Sequence, residues 1–446
     1  MALIRTDKAD KSCKDFCFFA TFFSKKKVVP RRKRGALSHK IASFAENCKR
    51  GDFMKYENLL AEARASEKEF TDVRRYIHAH AEVGFSLPYT AGIVFAKLSE
   101  LGYAPKKCGR SGITATVGEG KGKCILLRAD MDALPLREET GLPFAARGGN
   151  MHACGHDMHT AMLLLAAKLL KAHEHELCGT VKLMFQPAEE LLAGAKDMLE
   201  AGVLEEPHAD AAIMLHVLAG VPAPVGTVIL PEGGVSAPAA DYFEIKVHGR
   251  ACHGAMPENG ADALISAAHI LAALSEIPAR ELGAGERAVL TVGKMAAGEV
   301  PNAIAGEAHM AGSLRAYSGE TREKLKKRLA EISRAVASAF RTEAEVSFGK
   351  GTPALVNDGA LCRELAEYCR ELLPRERVLT SAVGGGGSED FAYIAEKVPA
   401  AILTLSAGAG EYPLHHPKVC FEEGVLPTGG ALYAHSAMRW LCEHAR

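Results

Sequence analysis

Apolar positions along this chain change their period several times, and each change predicts an element. Residues 112–117, 124–129, 180–186, 211–216 and 401–405 are short apolar runs of strand length. Between them, residues 159–172 are rich in Ala and Leu and read as a helix. Residues 54–77 also space their apolar positions as a helix does, and Met54 is a sensible opening of the folded unit. Strands alternating with helices predict an α/β fold, a mostly parallel sheet with helices on both faces.

Near Ala239 the pattern changes. Residues 242–248 (YFEIKVH) alternate as a half-buried strand does. A helix over 262–277, strands over 288–294 and 309–317, a long helix over 320–340 and a strand over 344–348 follow. This βαββαβ order makes one two-layer unit of normal domain size. Alternation resumes after Gly351, so the unit reads as an insertion: a catalytic domain of residues 54–238 and 351–446, interrupted by a lid/dimerisation domain of residues 239–350. A glycine run, Gly384–Gly387, leads into Ser388, Glu389 and Asp390 and reads as a site loop rather than a linker. There are no internal repeats.

A chain of 446 residues with 48% hydrophobic and 24% charged residues is globular and long enough for two domains. Its formal net charge of zero points to neither nucleic acid nor an anionic membrane as partner. Residues 1–50 differ from the rest, with fourteen Lys/Arg against four Asp/Glu. Arg31, Arg32, Lys33 and Arg34 could form a targeting or nucleic-acid tail, but the simpler reading of residues 1–53 is a peripheral extension, disordered or upstream of the true start. Twelve scattered cysteines fit a reducing, cytoplasmic setting. The apolar run at 16–23 is short for a signal core and ends in lysines, and no later stretch would span a bilayer.

The densest chemistry is Met151-His152-Ala153-Cys154-Gly155-His156-Asp157-Met158-His159, just ahead of a helix. Thiolate and imidazole suit zinc and other borderline metals. Glu189 and Glu190 follow an apolar strand, at the end where open α/β sheets place ligands. Adjacent carboxylates can divide labour, one binding metal while the other takes a proton from water. His216 and His415 each close a further apolar stretch, and deliver single imidazoles to the same rim.

HACGHDMH, FQPAEE, MLHV, GSEDF and LHHP, with RRYIHAHAEVGF, LLRADMDALPL and GRACHGAMP, resemble the motifs of the aminoacylase-like metallo-amidohydrolases. That family includes hippurate hydrolase, N-acetyl-diaminopimelate deacetylase and plant indole-acetyl-amino-acid hydrolases. The resemblance runs in the family's order from about Glu57 to near the C-terminus. It implies metal-dependent hydrolysis of the amide bond of N-acyl amino acids or related small amides. It also implies that Cys154, His156, Glu190, His216 and His415 hold two divalent ions, Zn or Mn, with Cys154 bridging. Glu189 matches the general base. His253 matches a lid histidine that reaches a neighbouring subunit's active site, which implies a homodimer or higher homo-oligomer through the lid. Asn302 and Arg315 fall where relatives contact the substrate's polar end, and a guanidinium suits a carboxylate. Asp130 and Asp132 are expected to orient ligating His rather than ligate, while His152, His159 and His416 are expected to be local structure.

Three stretches depart from the family's usual pattern. Leu191, Leu192 and Ala193 replace the glycines that often follow the second glutamate. Cys252 precedes His253, and Val300-Pro301-Asn302-Ala303-Ile304 stands for a motif usually read as FNVIP. No proposed ligand is lost, but each departure reshapes the substrate pocket. Two rivals stay open: a dipeptidase or aminopeptidase of the same superfamily, and a non-catalytic protein with a structural zinc site.

Overall fold

The computed structural model describes residues 58–118, 122–382, 387–408 and 410–445. The extension at 1–53, the opening at Met54 and most of the glycine run (Gly384–Gly386) lie outside the described residues.

The strands, in chain order, begin with β1 (Lys106–Cys108), β2 (Gly112–Val117), β3 (Cys124–Asp130), β4 (Thr180–Gln186), β5 (Ala211–Ala219), β6 (Val228–Pro231), β7 (Gly234–Ala237) and β8 (Ala239–His248). There follow β9 (Cys252–His253), β10 (Ala288–Ala297), β11 (Ala303–Ile304), β12 (Glu307–Ala316), β13 (Glu343–Thr352), β14 (Leu355–Asn357), β15 (Val378–Ser381) and β16 (Ala400–Gly408). Eight of them form the large sheet, in the order β1-β2-β4-β3-β5-β16-β6-β15. Its centre, β4, β3, β5 and β16, is parallel, whereas β1, β2 and the β6–β15 pair supply antiparallel margins.

Every residue of β3 and β4 is buried, which is why these strands read as continuous apolar runs rather than alternating ones. Alternate side chains serve opposite faces. Ile125, Leu127, Ile213 and Leu215 enter the core on one face, and Leu126, Ala212 and Met214 the smaller core on the other. The helix His156–Ala172 is buried on almost every side and packs against both the sheet and the helix Leu426–Glu443. Gly429 and Gly430 let those two helices meet. A Cβ there would fall 2.2 Å from Met162 Sδ and 2.6 Å from Leu165 Cγ.

Several boundaries differ from the sequence reading. The helical segment at 54–77 is two helices, Leu59–Ala65 and Glu67–Ala79, separated at Ser66. The buried site helix begins at His156, not His159. His216 lies inside β5 rather than ending it, because the strand continues to Ala219 in register with β16.

A second sheet, antiparallel in the order β10-β12-β8-β13, carries the helices Ala263–Leu274 and Gly319–Ala339. Phe243, Ile245 and Val247, alternating along β8, form its core with Ile270, Leu325 and Leu329. Asp262 and Ser318 cap the two helices by accepting backbone N–H bonds. The expected βαββαβ order is present, with the short β9–β11 pair added. The chain enters this layer beside where it leaves, through the antiparallel β7–β14 pair.

A buried polar cluster ties the helix Glu67–Ala79 to the start of the site helix. Arg74 Nε lies 2.6 Å from Asp157 Oδ2, and His78 sits between Asp157 (2.8 Å) and Glu138 (3.1 Å). Burial opposes protonation of His78, and Arg74 adds to that, but Asp157 and Glu138 outweigh both and raise its pKa above the usual histidine value. A raised folded-state pKa contributes stability that is complete below the unfolded value and lost as pH rises through the folded one. The stability difference between wild type and His78→Gln should therefore shrink as pH rises above the ordinary histidine value of about 6.5. Urea titrations of both proteins across that range check it, and a difference that grew with pH would contradict the pairing.

Candidate active site

Loops at the C-terminal ends of β3, β4 and β16, with His216 near the C-terminal end of β5, converge on one cleft, the place where a parallel sheet presents ligands. Gly155 makes the first turn possible. Its φ is +83°, and a Cβ would lie 2.4 Å from Val217 Cγ2, so only glycine lets Cys154 and His156 pass so close to β5. Asp132 sets the second loop by accepting the backbone N–H of Glu189 (2.9 Å) and of Glu190 (3.2 Å). His415 is held at φ +66°, with its N–H donated to Ala153 O at 2.9 Å. A non-glycine residue in that region is strained, and strain of this kind clusters at functional sites.

Cys154 Sγ lies 3.2 Å from His415 Nε2 and 3.6 Å from His216 Nε2. Glu190 Oε1 is 3.5 Å from His415 Nε2 and 4.0 Å from His156 Nε2. Two donor groups result, Cys154–His156–His216 and Cys154–Glu190–His415, each with its donor atoms within 4.8 Å of one another and with the thiol in common. His216 Nδ1 donates to Val217 O at 2.6 Å, which leaves the Nε2 lone pair facing Cys154. Both ring nitrogens of His156 and Glu190 Oε1 are buried without a hydrogen-bond partner. Such atoms are costly unless something else satisfies them, and cations held between N, S and O donors would do so.

Burial, with the negative charges of Glu389, Glu190 and Asp390, pushes the Glu189 carboxyl well above its usual range. Burial also raises Glu190, to about 7, against the pull of His156. Burial lowers His216 and His415 and raises the Cys154 thiol. His156 shifts the other way: against burial, Asp130 and Cys154 raise it well above the usual histidine value.

Asp130 accepts from His159 Nδ1 (2.6 Å) and Arg128 (2.7 Å), and approaches His156 only to 3.8 Å. Asp132 lies 3.5 Å from His156 Nδ1. His159 is engaged at both nitrogens, since its Nε2 accepts the N–H of Val217 at 2.8 Å. Burial pulls His152 down to about 3, and His416 stacks on Tyr412. Arg315 lines the cleft and donates to Ser388 Oγ, which in turn donates to Pro238 O at 2.7 Å. His253 and Asn302 lie elsewhere. Both are exposed on the second layer, where β9 pairs with β11 and Gly254 N donates to Asn302 O, and neither is among the described residues that line the cleft.

The sequence reading gave no role to Arg128, which is fully buried beneath the site. Its guanidinium donates to Asp130, Gln186 (2.8 Å), Glu389 (2.8 Å) and Asp390 (3.2 Å). A lone Arg inside the apolar strand CILLRAD was the available signal, because a buried cation demands partners.

The model of peptidase family M20/M25/M40 matches residues 126–439. The chain belongs to that family. An N-acetyl-L-cysteine deacetylase of Bacillus subtilis is 36% identical to this M20-family chain, over 84% of it and 89% of the relative. A hippurate hydrolase of Campylobacter jejuni is 34% identical over 86% of this chain and 100% of its own length. Among solved structures, a dinuclear metal-binding M20 peptidase from Bacillus subtilis superposes with a TM-score of 0.72 at 31% identity, covering 85% of this chain and 99% of that one.

Proposed function

We propose that this M20-family chain hydrolyses the amide bond of N-acyl amino acids or related small amides, with Glu189 as the general base. The observation that carries the reading is the pair of donor groups sharing Cys154 Sγ, with Glu189 Oε2 4.0 Å from His156 Nε2 beside them. Cys154, His156, Glu190, His216 and His415 would hold two divalent ions. Such ions polarise a carbonyl and make bound water a nucleophile near neutral pH. Thiolate and imidazole favour Zn, and the carboxylate accepts Mn.

Glu189, which lines the cleft wall, would take the proton from the attacking water and return it to the leaving amine. Arg315 is the sole Lys or Arg among the described residues of that wall, and it suits the substrate's carboxylate. Arg315→Ala should raise KM about tenfold or more for an acyl amino acid and leave KM for the corresponding carboxamide little changed. Equal effects on both would remove that role. Asn302 and His253 are assigned to a neighbouring copy's site, where His253 would donate to the developing oxyanion.

A dimer through the second layer is supported by what that layer exposes. Leu264, Ile265 and Leu271 on one helix, and Val289 and Met295 on the edge strand β10, are each more than a third exposed. Sedimentation that returned a single-chain mass at micromolar concentration would count against it. No helix among the described residues is long and apolar enough to cross a membrane. A cytoplasmic setting fits a site thiol that must stay reduced to bind metal.

Names of relatives support the substrate class: N-acetyl-L-cysteine deacetylase, hippurate hydrolase, and an IAA-amino acid hydrolase of Arabidopsis thaliana 35% identical over 84% of this chain and 85% of its own length. The test compares N-acetyl, N-benzoyl and N-indoleacetyl amino acids with unblocked dipeptides on one metal-loaded sample. Hydrolysis of the dipeptides alone would overturn the reading in favour of a dipeptidase.

A further inference from the structure

Leu192 occupies a position whose backbone favours glycine. Its φ is +53°, fixed by its own N–H donated to Glu189 O at 2.6 Å, while Ala193 and Gly194 donate to the carbonyl of Ala188, itself at φ +55°. A leucine in the left-handed region is strained, so its side chain has to be accounted for by what it touches. The side chain is half-buried and lines the same cleft as Glu189 and Glu190.

The cleft has a volume of about 860 Å³, toward the upper end of small-molecule sites. Its wall divides by origin. The polar anchor Arg315, with Tyr242 beside it, comes from the second layer. Leu134, Leu192 and Leu414 come instead from the three loops that carry Asp132, Glu190 and His415, on the large-sheet side. Leu134 and Leu414 are partly buried and rest on the main core, so they form firm apolar ground rather than mobile surface.

We propose that Leu192 is a specificity-determining residue which, with Leu134 and Leu414, receives the acyl group and selects a bulky apolar acyl chain, such as an aromatic acid, over acetyl. This rests on the acyl-amino-acid reading above. A substrate whose carboxylate is held by Arg315 and whose amide lies at Glu189 would direct its acyl end to the large-sheet side of the cleft, where these leucines, with Leu218, Ile229 and Leu230, supply the apolar wall. Acetyl is too short to fill that wall, and an aromatic acyl group covers it.

The test is kcat/KM for N-benzoyl and N-acetyl forms of the same amino acid, in wild type, Leu192→Gly and Leu134→Ala. Wild type should prefer benzoyl at least about tenfold, and Leu192→Gly should lower the benzoyl-to-acetyl ratio by a similar factor. The change should enter mainly through KM for the benzoyl substrate. Glycine suits the left-handed backbone, so Leu192→Gly should fold, and a thermal melt on the same sample verifies this. If it does not fold, the ratio in Leu134→Ala decides. An unchanged ratio in a folded variant, or a wild type that prefers acetyl, overturns the proposal while leaving the amidohydrolase reading intact. A wild type that cleaves neither substrate fails the earlier reading, and this proposal with it.

Discussion

Glu189→Gln should lower kcat for amide hydrolysis by about 10²- to 10⁴-fold, the range a positioned general base contributes, with metal content unchanged. The argument is geometric. Glu189 is buried at 6% exposure on the cleft wall, and Asp132 fixes its backbone there by accepting its N–H. Neither donor group that shares Cys154 uses it, and those groups survive its loss. Glutamine keeps the size and one oxygen but cannot accept and release the proton. Steady-state kinetics with metal analysis on the same protein separates the possibilities. A variant within tenfold of wild type would remove Glu189 as base, and a variant that lost metal would make it a ligand.

Removing divalent ions with a chelator should abolish hydrolysis and leave the fold in place, with activity restored by Zn or Mn. A structural zinc site closes its coordination with Cys and His, and the domain unfolds when emptied. Here the donors sit on the rim of a sheet whose two cores are packed without them. The thiol and His156 share the turn at Gly155, His216 lies in β5, and Glu190 and His415 sit on loops held by Asp132 and the Ala153 carbonyl. The chelated protein should still melt cooperatively, at a lower temperature, because Glu189 and Glu190 would then face each other and Glu389 with only Arg128 and His156 as nearby positive charge. Circular dichroism and activity on one titrated sample check this. Global unfolding on chelation would support a structural role.

Much of this was legible in the sequence because it rested on local pattern. β3 and β4 are short and buried on both faces, so an unbroken apolar run marks them almost to the residue. β8 is buried on one face, and its alternation is plain. What escaped depended on distant contacts. Gly429 and Gly430 weaken the helical signal of 426–443, yet they are there for Met162 and Leu165 of another helix. Pro88–Glu100 begins on a proline, a helix-start signal easily taken for a turn. In the site, residue types and their order identified the candidate donors, but spacing along the chain could not reveal that Arg128 joins Asp130 to Glu389 and Asp390. Nor could it show that Asn302, expected at the substrate's polar end, lies exposed beside the β9–β11 pair and outside the cleft lining.

The partners of Arg128 also set a timetable for biosynthesis. Asp130 and Gln186 emerge early from the ribosome, but Glu389 and Asp390 come more than 250 residues after Arg128, followed by β16 and His415. Until that late stretch is made, the nascent sheet lacks a central strand and carries an inward-facing cation with part of its counter-charge missing. Competence for catalysis therefore waits for the stretch that holds Glu389, Asp390 and His415, and a chain stalled before residue 389 would lack two partners of Arg128 and the last imidazole of the site.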